Sequence, residues 1–418
     1  MAKRLILHIG AGKTGTSAIQ AALARDRAIL LANGVFYPEG PTDNQAIAGR
    51  VTSGNGNSIF RSIIGRDQLS PRALKKVEAR FAALVAANNA SVMLISQETA
   101  GIINPQILIK LRSVFARHFD QVQIIYYVRH LTDHAISSYG EKIKRGKIHT
   151  PFRAFASDYH SRFKETIENY ERVYGQAAVQ CVLYDNVRQD LYHDFLRRIG
   201  LAFEADLENS ARVNRSLTGD ESELVRRVNR MGLSRILIAK IVEEFLFSHK
   251  NPARSHLAIS RASIAAIAQN NRDVIEFVNA RLADGALLRA ASDTIVERAG
   301  DTDESAPPEL DAGMMLGLLQ SGIRVTERLH GKLDPQALSA LREAEARLRE
   351  FAQGPDCKAD GGTLLGFLEN GLRVLDAART RAASTAGGDS EMGLSGAGLL
   401  ERKRQRRLER KQIRSALS

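Results

Sequence analysis

"HIGAGKTGTSA", residues 8–18, admits three readings as a phosphate-binding turn, and each implies a different chemistry. Gly10, Gly12 and Gly15 satisfy the G-x-G-x-x-G spacing of a dinucleotide turn. Gly12-Lys13-Thr14 matches the end of a nucleoside-triphosphate P-loop. Lys13-Thr14-Gly15-Thr16-Ser17, taken as one unit, is the third. The apolar run "RLILHIG" (4–10) precedes the turn, and a helical pattern runs from about Thr16 to Leu31. A turn between a buried strand and a helix N-terminus is suited to anions on any reading.

The surroundings separate the three. A dinucleotide fold needs an acidic residue ending the second strand about 20 residues on. "ANGVFYPEG" (32–40) offers only Glu39, placed after a proline. A Walker loop needs glycine five residues before its Gly-Lys pair, and position 7 is Leu7. Neither "SVMLIS" (91–96) nor "VQIIYYV" (122–128) ends in the Asp that usually holds magnesium. The third reading has support along the chain. "YYVRHLTDHAISSYGEKIKRG" (126–146) supplies a strand ending in Arg129, with Ser137 eight residues later. "VLYDNVRQDLYHDFLRRIGL" (182–201) and "VNRSLTGDESELVRRVNR" (213–230) follow. In this order the segments resemble the sulfotransferases that use 3′-phosphoadenosine 5′-phosphosulfate (PAPS), in particular the bacterial branch related to carbohydrate sulfotransferases. The resemblance spans about residues 1–285.

That resemblance implies a sulfuryl transfer from PAPS to a hydroxyl or amine, with a saccharide or glycolipid as acceptor and no metal. Lys13 would place its ammonium near the bridging oxygen, where charge grows as the phosphate leaves. Thr14, Gly15, Thr16 and Ser17 would bind the 5′-phosphate through backbone N–H groups and hydroxyls. Arg129 presents a planar fork to the 3′-phosphate, with Ser137 as a further donor. Asn214 and Ser216 would lie near the nucleotide, although Asn-x-Ser is equally an ordinary cap. Glu98, after the strand 91–96, is the first choice of base, and it could equally cap a short helix. His8 and His134 are alternative bases but are more often structural. Asn44-Gln45 stand where many relatives place a histidine. Two further readings share the fold: a catalytically inactive nucleotide-binding scaffold or regulator, and a P-loop kinase.

Four runs lack polar alternation: 4–10, 91–96, 122–128 and "AVQCVLY" (178–184). Such runs suit parallel strands covered on both faces. Helical patterns between them, two opened by Ser70-Pro71 and Asn104-Pro105, predict an α/β fold: a P-loop-like parallel sheet flanked by helices. The predicted organisation is a sulfotransferase domain (1–299), an acidic, proline-containing linker (300–312), an all-α region (313–380), a low-complexity linker (381–398) and a basic tail (399–418). "GMMLGLLQSGIRV" (313–325) and "GTLLGFLENGLRV" (362–374) form a gapless near-repeat. Leu316, Leu319 and Ile323 share one helical stripe, as do Leu365, Leu368 and Leu372. The two helices pack on each other or on the first domain, or else they join two copies of the chain.

Of the net charge of +12, the last eighteen residues hold eight Lys/Arg against two Glu. The tail could touch anionic surfaces, but without aromatics it reads as solvated. Lys142, Lys144, Arg145 and Lys147 would suit an anionic sugar, though a solvated helix face explains them as well. Two cysteines cannot build a disulfide framework, and no apolar run is long enough to span a bilayer. A cytoplasmic protein is expected.

Overall fold

The computed structural model describes residues 3–48, 54–203, 215–249, 255–283, 285–302, 311–331, 333–353 and 361–385. The continuous apolar runs become strands: β1 (Arg4–His8), β3 (Val92–Ser96), β4 (Gln121–Val128) and β5 (Val179–Leu183). A two-residue strand, β2 (Val35–Phe36), completes a parallel five-stranded sheet of order β2-β3-β1-β4-β5. Leu5, Ile6 and Leu7 are buried in succession, as are Ile124 to Val128, so both sheet faces are covered. Central β1 pairs with β3 (Ile6 opposite Leu94) and with β4 (Ile6 opposite Gln123). The chain crosses to the other side of β1 between β3 and β4. The loop after β1 therefore sits where the strand order reverses, and open α/β sheets collect ligands there.

The predicted helix from Thr16 to Leu31 divides at Asp26 into α1 (Thr16–Arg25) and α2 (Arg27–Ala32). Buried Ile19 and Leu23 on α1 join Ile6, Tyr127 and Phe195 in one core. Helix α3 (Pro71–Ala86) is capped by the Ser70 hydroxyl, which accepts from the Ala73 N–H at 3.3 Å. Asn104 caps α4 (Pro105–Phe115) in the same way, so proline at the first helical position marks both starts. Three further helices of the sheet-bearing part are α5 (Leu131–Lys144), α6 (Phe163–Tyr174) and α7 (Leu191–Arg198).

Packing divides the chain into two units. The first comprises Met1–Ile143, Ile148–Glu223 and Lys250–Pro308 and holds the sheet. The second comprises Lys144–Lys147, Leu224–His249 and Glu309–Ser418. It contains α8 (Arg235–Ser248), α9 (Ala312–His330), α10 (Pro335–Gln353) and α11 (Gly361–Thr385). Helix α9 contacts all three of the others. The near-repeats pack on each other within the chain, through their glycines. A Cβ on Gly322 would lie 2.7 Å from Leu375, and one on Gly371 would lie 2.6 Å from Leu319. The predicted stripes are rotated. Leu319, Leu368 and Leu372 are buried, whereas Leu316, Ile323 and Leu365 are half-buried and Met315, Leu318 and Leu364 take their places. Three neighbours cover α9, so its buried face is wider than one seam. Most of the linker, and the chain from 386 onward with its basic tail, lie outside the described residues.

The packing division differs from the sequence-based boundary near residue 300, because Leu224–His249 groups with the C-terminal helices. Ile238, Ile241, Val242 and Phe245 on α8 are buried, and Ile241 and Phe245 lie against Gly322 and Gly317 of α9. Deleting residues 301–418 would expose these side chains. The 1–300 fragment is expected to self-associate in light scattering, and Ile241→Glu with Phe245→Lys should reduce that association. A monomeric, soluble 1–300 fragment would show that α8 has no need of α9.

Candidate active site

Three positive backbone φ angles shape the turn after β1. Gly10 adopts +20°, Lys13 +71° and Gly15 +75°, and Lys13 is the one non-glycine residue with φ above zero among the described residues. Gly15 is required twice over: besides its φ, a Cβ there would lie 2.3 Å from Leu191 on α7. The turn delivers the chain into α1 with Gly15 at the N-cap and no side-chain cap. The first N–H groups of such a helix have no intrahelical acceptor and face outward as anion donors.

Two of the predicted hydroxyl donors are turned inward instead. Thr14 is fully buried and donates to the Ala11 carbonyl at 2.6 Å, while buried Thr16 reaches the same carbonyl at 3.4 Å. They brace the turn. Short hydroxyls three and five residues on satisfy the loop's own Ala11 carbonyl, which is left outside any helix or strand ladder. Ser17 remains half-buried in the first turn of α1.

The side chain of Lys13 meets Glu141 of α5, Nζ to Oε2 at 2.7 Å. Its carbonyl accepts from Arg129 Nη1 at 3.3 Å. Arg129 leaves the end of β4, lies 5.5 Å over the Tyr184 ring and stands 3.6 Å from Asp185. Its buried Nε makes no hydrogen bond among the described residues. Asp185 is fixed by the His130 N–H at 2.8 Å. Ser137 lies one turn before Glu141 on the same face of α5.

Glu98 begins a short 3-10 turn (Glu98–Ile102) directly after β3. Its carboxylate packs against the loop, since Oε1 would be 2.9 Å from a Cβ at Gly12. Both residues line a cleft of about 310 Å³ with His134, Lys142, Tyr159 and Arg162. Lys142 rests over the Phe155 ring at 4.7 Å. His134 donates from Nε2 to the Gly12 carbonyl at 2.9 Å, because a carbonyl can only accept. Its Nδ1 therefore accepts from the Tyr159 hydroxyl at 2.5 Å. Burial pushes His134 down to about 4, so the ring is neutral and both nitrogens are committed.

His8 lies outside this cleft. It is fully buried at the end of β1, with Nδ1 2.9 Å from the Ser96 hydroxyl, and burial lowers it to about 3. Asn44 and Gln45 are exposed on a short helix (Asp43–Ile47). Ser216 is exposed, its carbonyl accepting from Arg215, whose guanidinium pairs with Glu221 at 2.7 Å. Asn214 lies outside the described residues. The structure thus gathers Lys13, Glu98, Arg129 and the Ser137 face of α5 at one sheet edge, and leaves Ser216 exposed in the segment before the helix Gly219–Arg230. Glu141 and Tyr159 escaped the sequence reading. The one available signal was the position of Glu141, four residues after Ser137.

Two neutral buried histidines make stability depend on pH. In the unfolded chain they titrate near 6.5 and in the fold near 3 and 4, so below pH 6.5 the unfolded state binds more protons. Stability therefore falls with acidification, by about 2 kcal/mol per histidine at pH 5. Urea midpoints should drop between pH 7 and pH 5, and His134→Gln should flatten the slope. An unchanged midpoint would mean the rings titrate in the fold as they do in the unfolded chain.

Among solved structures the chain is similar to a sulfotransferase from Alicyclobacillus acidocaldarius. That match is 13% identical, covers 56% of this chain and 95% of that one, and has a TM-score of 0.31. It is also similar to the sulfotransferase domain from the curacin biosynthetic pathway, at 15% identity, 53% and 82% coverage and a TM-score of 0.31. No family model matches the chain, and no curated protein matches it. A likeness this distant says nothing of substrate or chemistry, so the functional reading rests on the site residues. Among the described residues no helix is long and apolar enough to cross a membrane, and no cluster of three or more His, Cys, Asp or Glu is arranged to hold a metal.

Proposed function

We propose that the chain is a sulfotransferase that moves a sulfuryl group from PAPS to a hydroxyl or amine, with a saccharide or glycolipid as acceptor. One observation carries this reading. Lys13 joins two anion-binding elements, since its loop opens α1 while its carbonyl is held by the strand-end Arg129. One nucleotide with phosphates at both ends of its ribose matches that pairing. The residues present fit such a ligand: Gly15 opens α1 with no side-chain cap on its first-turn N–H groups, and Arg129 stands half-buried at the strand end with its charge only loosely matched by Asp185, 3.6 Å away.

When bound, PAPS supplies an activated sulfuryl group whose departure leaves negative charge on phosphate. Lys13 neutralises that charge, and the N–H groups of Gly15 to Ser17 hold the phosphate. Arg129, with Ser137, holds the 3′-phosphate. Glu98 takes the acceptor's proton from its place in the cleft. His134 serves as a brace, because neither ring nitrogen is available to a substrate proton. Incubation with PAPS labelled in its sulfuryl group and the host's glycan and metabolite extract should yield a labelled product together with the desulfonated nucleotide (PAP). No PAP binding in calorimetry and no label transfer would overturn the proposal.

A further inference from the structure

Lys13 is held at both ends by the β4–α5 segment, its carbonyl by Arg129 and its ammonium by Glu141. The left-handed backbone at Lys13 fixes where the side chain starts, so the flexible stem alone can move the charge. The ion pair is partly exposed, with side-chain exposures of 31% and 25%, so an incoming anion can reach it from solvent. An anion arriving at the first turn of α1 meets an ammonium already claimed by a carboxylate, and that carboxylate also repels it. We propose that Glu141 is a positioning residue that competes with the nucleotide for Lys13 and thereby speeds departure of the product. This rests on the reading of Lys13 above. PAP carries a more highly charged terminal phosphate than the phosphosulfate it derives from, so Lys13 holds it more tightly. Glu141 offsets that hold by taking the ammonium back.

The test measures affinities of PAP and of inorganic pyrophosphate by calorimetry, and PAP dissociation by stopped-flow displacement. Glu141→Gln, nearly the same shape, should bind both anions about three- to tenfold more tightly, mainly through slower dissociation. Glu141→Asp, which keeps the charge, should bind PAP within about twofold of wild type. In a Lys13→Met background the Glu141→Gln gain should shrink below about twofold. Unchanged or weaker binding in Glu141→Gln would overturn the proposal, since a merely structural glutamate weakens binding when replaced. A gain undiminished by Lys13→Met would overturn it as well. Tighter pyrophosphate binding in Glu141→Gln, with no PAP binding by either protein, would uphold the competition and remove the nucleotide. A wild type that binds neither anion would overturn both.

Discussion

Lys13→Ala is expected to lower turnover by about 10²- to 10³-fold, with a much smaller change in PAPS affinity. Removing one donor aimed at developing charge typically costs this much, because its interaction is strongest in the transition state. The structure supplies two controls. Alanine tolerates the +71° backbone no better than lysine does, so the loop's strain is unchanged and a rate loss cannot be assigned to it. Glu141 loses its 2.7 Å partner as well, so the competition for the ammonium disappears together with the ammonium. Lys13→Ala combined with Glu141→Gln should match Lys13→Ala in affinity within about twofold and recover none of the rate. Steady-state kcat and calorimetric PAP affinity separate the two effects. Near-normal turnover in Lys13→Ala would remove Lys13 from the chemistry.

The sheet was legible because parallel strands buried on both faces must be apolar throughout, and four such runs stand out. Strand β2 was not, since two residues carry no period. The break at Asp26 was equally silent, because the helical pattern runs through it and Arg25 holds the aspartate by local contacts. In the site, Lys13 and Arg129 were legible from motif spacing, since the turn and the strand end are both local. The inward Thr14 hydroxyl was not, because its partner is decided by how the turn closes on Ala11. Glu141 lies in a charged stretch, "GEKIKR", that reads as a solvated face, and its pairing with Lys13 joins positions 128 residues apart. Helical periodicity shows that Ile238, Ile241 and Phe245 need cover, yet nothing in it names α9 as the element that supplies it.

Arg129→Ala should behave differently from Lys13→Ala, because the 3′-phosphate is remote from the reacting bond. A charge-assisted bidentate contact contributes about 1.5–3 kcal/mol, so nucleotide affinity should fall about ten- to a hundredfold while the bound nucleotide still reacts. The substitution also strips the nearby positive charge from Asp185, whose side chain is 9% exposed. Asp185→Asn in the same protein removes that charge, and thermal melts would report any remaining damage. Arg129→Lys tests the fork, since it keeps the charge but gives up the planar pair of donors and the stacking on Tyr184. The decisive comparison is adenosine 5′-phosphosulfate, which lacks the 3′-phosphate. It should bind wild type and Arg129→Ala about equally, while PAPS and PAP should not. Equal loss for all three nucleotides would mean that Arg129 supports the loop through the Lys13 carbonyl and is not the 3′-phosphate ligand.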